Sequence, residues 1–236
     1  MESRGGDERT LVLHYDGRSW SRVAAPLLAL TAPSPTGHYA HLRGVSASAP
    51  DDVWAIGNYG NDDIMSPLVL HWDGRAWTRV RLPRSITRPG PPRIPGAQSE
   101  HELSGVDAIT PDDVWVVGHR LGPSRGTTAL LLHYDGNAWS KIRSADLRGA
   151  EWLHSVEAVK SDDVWAVGWR WASGVEEGFP LAFRWDGSVW SRVGTARANE
   201  QLFGVATDGT GDTWAVGDGW AIERACGRGS ITAPSP

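Results

Sequence analysis

The sequence predicts an all-β fold of repeated four-stranded antiparallel sheets, and three observations predict it. An Asp-Val-Trp-Ala/Val core recurs at Val53-Trp54, Val114-Trp115 and Val164-Trp165, and in degraded form at Thr213-Trp214. An aromatic-Asp-Gly-x-x-Trp core recurs as Tyr15-Asp16-Gly17 to Trp20, Trp72-Asp73-Gly74 to Trp77, Tyr134-Asp135-Gly136 to Trp139 and Trp185-Asp186-Gly187 to Trp190. The two cores alternate without exception, at intervals of roughly 50 to 60 residues, which marks repeated supersecondary units.

Each unit reads as four short strands, A to D. In the third, Leu153 to Ala158 alternates and is strand A, and Val164 to Val167 is an apolar run, strand B, stopped by Gly168. Leu181 to Trp185 alternates again as strand C, and Val189 to Val193 follows as strand D. β-Branched and aromatic residues dominate, with Gly and Asp between them, so the segments are too short and too broken for helices. The A–B turn is Pro50-Asp51-Asp52, Pro111-Asp112-Asp113, Ser161-Asp162-Asp163 and Gly211-Asp212. Asp side chains there accept turn N–H groups. The C–D turn is Asp-Gly, where Gly supplies positive φ. These aspartates are expected to be turn residues, not catalysts or calcium ligands. His14, His71 and His133, with Arg184 fourth, precede the strand-C aromatic and are expected to hydrogen-bond within their own sheets. Strand B is apolar at successive positions, so both its faces should be buried, as in a sheet stacked between two others. Small four-stranded sheets packed face to face describe a β-propeller.

Three complete units span 42–80, 103–142 and 153–193. They are flanked by a C–D pair, Leu11 to Tyr15 and Trp20 to Val23, and by an A–B pair, Leu202 to Ala206 and Trp214 to Val216. The expected fold is therefore an all-β propeller of four blades. Its ring would close by pairing N-terminal strands C and D with C-terminal strands A and B, which also covers an open sheet edge. A piece of a larger ring is the alternative. A single domain over 10–222 is expected, with flexible termini at 1–9 and 223–236; the tail from Arg224 carries no strand signal.

The unit resembles a kelch repeat. Gly57, Gly118, Gly168 and Gly217 stand at the first of the two kelch glycines; Tyr15, Trp72, Tyr134 and Trp185 stand at its Tyr; Trp20, Trp77, Trp139 and Trp190 stand at its Trp. The second glycine is replaced by Asn58, His119, Trp169 and Asp218. The resemblance implies a kelch-like bacterial propeller over about residues 10–220, and says little of function, because propellers host many activities. A sialidase-type Asp-box is excluded at Thr207 to Trp214, where Gly209 stands at the Asp position.

Composition narrows the function classes. Among 236 residues, the net charge of −5 with mixed signs does not favour nucleic acid or an anionic membrane. Lys141 and Lys160 are the only lysines, and the Arg bias suits a GC-rich bacterial genome. Cys226 is the single cysteine, which excludes an intrachain disulfide. No apolar run reaches the roughly 18 residues of a membrane span. The N-terminus carries acids and no apolar h-region, so a cytoplasmic location is expected, or a secreted one if the true start lies upstream. Of 14 tryptophans, four mark strand B, four strand D and two the strand-C aromatic, so most are scaffold.

Function on a repeated scaffold belongs where the repeat varies. Loops B–C and D–A lie at one end and vary. There, one ring of positions follows the strand-B glycine: Asn58, His119, Trp169 and Asp218. Another precedes strand A: His41, Glu102, Trp152 and Gln201. With Tyr59 and Trp171 these are the candidate ligand-binding residues; Arg120, Arg170 and Trp220 lie nearby. Aromatic faces with polar rims suit a glycan, and a peptide or protein ligand is also expected to fit. No catalytic residue, metal or cofactor is expected, and the chain is expected to be a non-enzymatic, monomeric binding protein. The alternatives are a hydrolase or lyase at the propeller mouth, and a remnant of a larger propeller. Asp62-Asp63 and Glu176-Glu177 are the carboxylate pairs that glycoside chemistry would need. His41, His101 and His119 could meet at the varied face, without metal-ligand spacing.

Overall fold

The computed structural model describes residues 10–26, 39–60, 65–87, 101–121, 127–143, 147, 150–171, 178–195, 200–218, 222–225 and 231–232. A hairpin, β1 (Val12–Tyr15) and β2 (Trp20–Val23), comes first. The first complete sheet is β3 (Tyr39–Ala49), β4 (Asp52–Gly60), β5 (Met65–Trp72) and β6 (Trp77–Arg79), followed by one helical turn, α1 (Arg84–Thr87). The second is β7 (His101–Thr110), β8 (Asp113–Leu121), β9 (Thr127–Tyr134) and β10 (Trp139–Lys141). The third is β11 (Ala150–Lys160), β12 (Asp163–Trp171), β13 (Gly178–Trp185) and β14 (Trp190–Val193). The last is β15 (Leu202–Thr207), β16 (Thr213–Gly217), β17 (Ile222–Ala225) and β18 (Ile231–Thr232). Strands pair in sequence order and antiparallel throughout.

Strand B, the second of each sheet, splits its apolar residues between two interfaces, as its unbroken hydrophobic run predicts. Trp54 and Ile56 of β4 pack with Val114 and Val116 of β8, while Ala55 packs the other way, on the side of Val12 and Val23. Trp115 and Val117 of β8 then meet Val164 and Ala166 of β12, and Trp165 and Val167 meet Leu202 and Ala215. Each fully buried side chain of this size contributes about 1.5–3 kcal/mol, so the stacking is what holds the sheets in line. Strands A lie side by side, β3 against β7, β7 against β11 and β11 against β15. Polar bonds tie them: Ser46 Oγ donates to Asp107 (3.0 Å), Ala158 N donates to Asp107 (2.7 Å), and Thr207 N donates to Glu157 (3.4 Å).

The turn aspartates do what their positions predict. Asp73 Oδ1 accepts the N–H groups of Arg75 (2.9 Å) and Ala76 (2.8 Å), and Asp16, Asp135 and Asp186 repeat the motif. These bonds hold all four carboxyls below their usual range. Gly74 follows with φ 84°, and a Cβ there would lie 2.8 Å from Asp51 Cβ, so the C–D turn seats on the A–B turn. Two of the three strand-C histidines bond within their sheets, His71 to Asp52 (2.7 Å) and His133 to Asp113 (2.8 Å), with Arg184 to Asp163 (2.8 Å) in the third complete sheet; for His14 the hairpin shows only a bond to its backbone carbonyl, from Ser21 Oγ (3.4 Å).

Two expectations are corrected at the ends. The N-terminal C–D pair does not join the C-terminal A–B pair: β1 and β2 form a two-stranded sheet, and β16 is paired by β17. The tail expected to lack strands supplies β17 and β18. The physical reason is proximity. The free edge of β16 demands hydrogen bonds, and a segment a few residues downstream closes a shorter loop than one at the far end of the chain. Residues 1–9 lie outside the described residues. No helix among those described is long and apolar enough to cross a membrane.

Candidate functional site

The strand-B glycine builds the varied end. A Cβ on Gly57, Gly118, Gly168 or Gly217 would fall about 2 Å from the carbonyl oxygen of His41, Glu102, Trp152 or Gln201 respectively. Strand A presses onto strand B at that point because it carries a bulge immediately after, between Leu42 and Gly44, Leu103 and Gly105, Leu153 and Ser155, and Leu202 and Gly204. A bulge re-aims side chains. The constant glycine thus positions the variable residues.

The two rings read from sequence are cross-strand pairs. His41 stands opposite Asn58, Glu102 opposite His119, and Trp152 opposite Trp169. Gln201 N donates to Asp218 Oδ1 (2.7 Å), and Asp218 N to the Gln201 carbonyl (3.1 Å). Between sheets, Arg43 Nη2 donates to Glu102 Oε2 at 3.1 Å. His119 lies 6.2 Å from Trp152, ring centre to ring centre. Trp152 and Trp169 stack at 4.2 Å and 7°, and Trp171 meets Trp169 edge-on at 5.2 Å and 71°. Trp171 is exposed and offers the accessible aromatic surface. Tyr59 departs from this set: its hydroxyl accepts from Arg79, whose guanidinium lies 4.1 Å above the ring, and it packs on the side of the β1–β2 hairpin.

Sequence reasoning missed a third ring, the bulge residues themselves: Arg43, Ser104, His154 and Phe203. They sit on the innermost strands and differ in every sheet. A signal for them exists in the sequence, a variable residue framed by Leu and a small residue: Leu42-Arg43-Gly44, Leu103-Ser104-Gly105, Leu153-His154-Ser155, Leu202-Phe203-Gly204. His154 lies 5.0 Å from Phe203 across the sheet interface.

Burial governs the electrostatics of this end. Burial, with His154, Arg43 and His101 adding positive charge, pushes His119 down to about 4. Burial, then Arg120 and Lys141, pushes His101 down to about 4 as well. Burial also lowers His154. His101 and His119 are therefore neutral at pH 7. Asn58 Oδ1, Ser104 Oγ, His119 Nδ1 and His154 Nε2 are buried atoms with no hydrogen-bond partner among the described residues. Buried polar atoms are paired as a rule, so these four call for a ligand or ordered water, as do Trp115 Nε1 and Trp139 Nε1 in the interfaces between sheets. No three His, Cys, Asp or Glu side chains form a metal-binding group among the described residues. Asp62, Asp63, Glu176, Glu177, Trp220 and Cys226 lie outside the described residues.

Stacked, repeated antiparallel sheets of four strands with adjacent inner strands define a β-propeller repeat fold. No protein-family model matches the sequence, and no curated protein matches it. Solved structures do. The fucose-recognising lectin of Aleuria aurantia, a six-bladed β-propeller, matches at TM-score 0.50 and 17% identity over 94% of this chain and 69% of the lectin. YCF48 bound to D1 peptide matches at TM-score 0.47 and 15% identity over 80% of this chain, and this chain spans 53% of that one. A fucose lectin from Kordia zhangzhouensis matches at TM-score 0.40 and 11% identity over 65% of this chain and all of its own.

Proposed function

We propose that this chain is a non-enzymatic binding scaffold that takes a ligand at the varied end, on the surface carrying the bulge residues and the Trp152–Trp169 pair. The carrying observation is the neighbourhood of unsatisfied buried polar atoms and aromatic rings: His119 Nδ1 beside Trp152, and His154 Nε2 beside Phe203. A ligand that satisfies both must carry hydroxyls or amides and an apolar face. A saccharide does so, since its C–H face stacks on aromatic rings and its rim hydrogen-bonds. A peptide or protein segment would use the same surface. The Aleuria aurantia lectin recognises fucose on the same fold, which agrees with this reading. The repeat itself we read as kelch-like, on its glycine, aromatic and Trp positions.

The test is a glycan array probed with the purified chain, followed by calorimetric titration of the best saccharide. Trp152→Ala and His154→Ala are expected to weaken binding at least tenfold while His154→Ala keeps the wild-type thermal transition. Absence of any saccharide binding, or an affinity indifferent to both substitutions, overturns the reading.

A further inference from the structure

The three complete sheets carry the same three places toward their varied ends, and the second sheet fills them differently. The last strand of each holds a base: Arg79, Lys141 and Arg192, opposite Leu70, Leu132 and Phe183. Strand B ends in Tyr59, Arg120 or Arg170, and strand A sets Ala40, His101 or Glu151 directly opposite it. Side chains alternate along a strand, so the ladders put all three places on one face of each sheet.

In the first sheet the base is answered within the motif, since Arg79 donates to the Tyr59 hydroxyl and lies over its ring. In the third a carboxylate joins the two bases: Glu151, 1% exposed, shares the face with Arg170 and Arg192. In the second that place belongs to His101, which is neutral at pH 7, so Arg120 and Lys141 share a face with no acid at the equivalent position. Neither cation makes an ion pair among the described residues. Their charges reach one another and His101. Partial burial, then Arg120 and Arg143, lowers Lys141, and burial, then Arg120 and Lys141, lowers His101. His101 is 1% exposed, and its Nε2 is buried without a hydrogen-bond partner, an atom that calls for one. Arg120 Nε is unpartnered too, but so is Arg170 Nε, so the difference between the two sheets lies in the missing acid. The place is open to solvent: Lys141 is exposed, and so is Thr128, which stands opposite Arg120.

We propose that the carboxylate of a bound ligand takes, in the second sheet, the place that Glu151 takes in the third, held by the Arg120 guanidinium and the Lys141 ammonium with His101 Nε2–H as a further donor. The planar guanidinium fork matches a carboxylate through two parallel charge-assisted bonds, and the built-in acid of the third sheet is itself a carboxylate. A uronic acid and an acidic peptide side chain share this chemistry. The site goes beyond the Trp152–Trp169 surface. It lies on the face of the second sheet that packs toward Trp54 and Ile56 of the first, whereas the two tryptophans belong to the third.

Thermal unfolding and calorimetric titration of the whole chain test this. Glucuronate and N-acetylglutamate are the probes, with glucose and, at equal ionic strength, sodium chloride as controls. At least one carboxylate is expected to raise the unfolding midpoint above both controls by mass action, and the larger rise names the source, saccharide or acidic side chain. Arg120→Met and Lys141→Met, the latter at an exposed site, are each expected to weaken the titrated affinity about tenfold. His101→Glu copies the third sheet and is expected to abolish binding while its midpoint stays at or above that of the wild type. Trp152→Ala is expected to leave the effect intact, which separates this site from the saccharide surface of the third sheet. A rise matched by glucose or chloride, no rise at all, or a rise that survives both methionine substitutions overturns the proposal. So does inorganic phosphate protecting more than either carboxylate, or loss of the effect in Trp152→Ala.

Discussion

Trp115 and Trp214 hold the same position of the same repeat, yet Trp115 is 1% exposed and Trp214 is 38% exposed. The strand-D set shows the same contrast, with Trp139 at 7% and Trp20 at 68%. Local sequence is nearly identical within each pair, and so is local structure. What differs is the neighbour. An interior sheet is covered on both faces, while the end sheets are each covered on one. In a stack of this kind stability is a sum of unit terms and nearest-neighbour interface terms, so the same residue has different worth in different sheets.

The largest effect expected from this contrast is at tryptophan. Trp115→Ala removes a ring packed against Trp185 and Trp190 and stacked on His133, and should cost about 3–5 kcal/mol in denaturant unfolding. Trp20→Ala in the end hairpin should stay within about 0.5 kcal/mol. Equal costs would mean that the end hairpin is covered in solution.

Acid should act on the interior sheets first. His101 and His119 have folded values near 4, below their ordinary 6.5. Between those values the unfolded chain binds protons that the folded one does not, so stability is full above about pH 6.5 and falls as pH drops toward 4. The ceiling is about 3 kcal/mol for each residue. The β15–β18 sheet contains no histidine. Unfolding midpoints measured across this range should flatten in a His101→Gln, His119→Gln variant; an unchanged slope would refute the assignment.

Glycine separates strand from turn in every sheet, since Gly217 of the last sheet is as crowded as Gly118. Gly118→Ala places a methyl 2.0 Å from the Glu102 carbonyl, between two packed sheets, and should destabilise by more than about 1 kcal/mol. Gly209→Ala, in the turn of the last sheet, has nothing within 4 Å and should be neutral within about 0.5 kcal/mol.

Much of this was readable from sequence because it is local. Asp-Gly turns, the two-faced strand B and the histidine–aspartate bonds each depend on residues within one unit. The pairing of β16 was not, because two segments of suitable register, Val12 to Tyr15 and Ile222 to Ala225, compete for one edge and loop closure decides between them. At the candidate site, positions 41, 58, 102, 119, 152 and 169 were found by alignment because the ladder keeps them opposite each other. Arg43, Ser104, His154 and Phe203 were missed because a bulge breaks the two-residue period on which strand reading rests.

The smallest effect sits where the ends meet the interior. Arg43 on the first complete sheet reaches Glu102 on the second at 3.1 Å, with the arginine side chain 46% exposed and the glutamate 17%. An exposed pair of this kind is worth about 0.2–1 kcal/mol. A double-mutant cycle of Arg43→Met and Glu102→Gln should give a coupling in that range at low salt, shrinking as ionic strength rises. Arg43 also borders a cavity beside Trp77. That cavity is open, so water and salt reach the arginine and should screen the pair. A coupling above about 1 kcal/mol, or one that ignores salt, would show that the pair is shielded from water and would overturn its reading as an exposed pair.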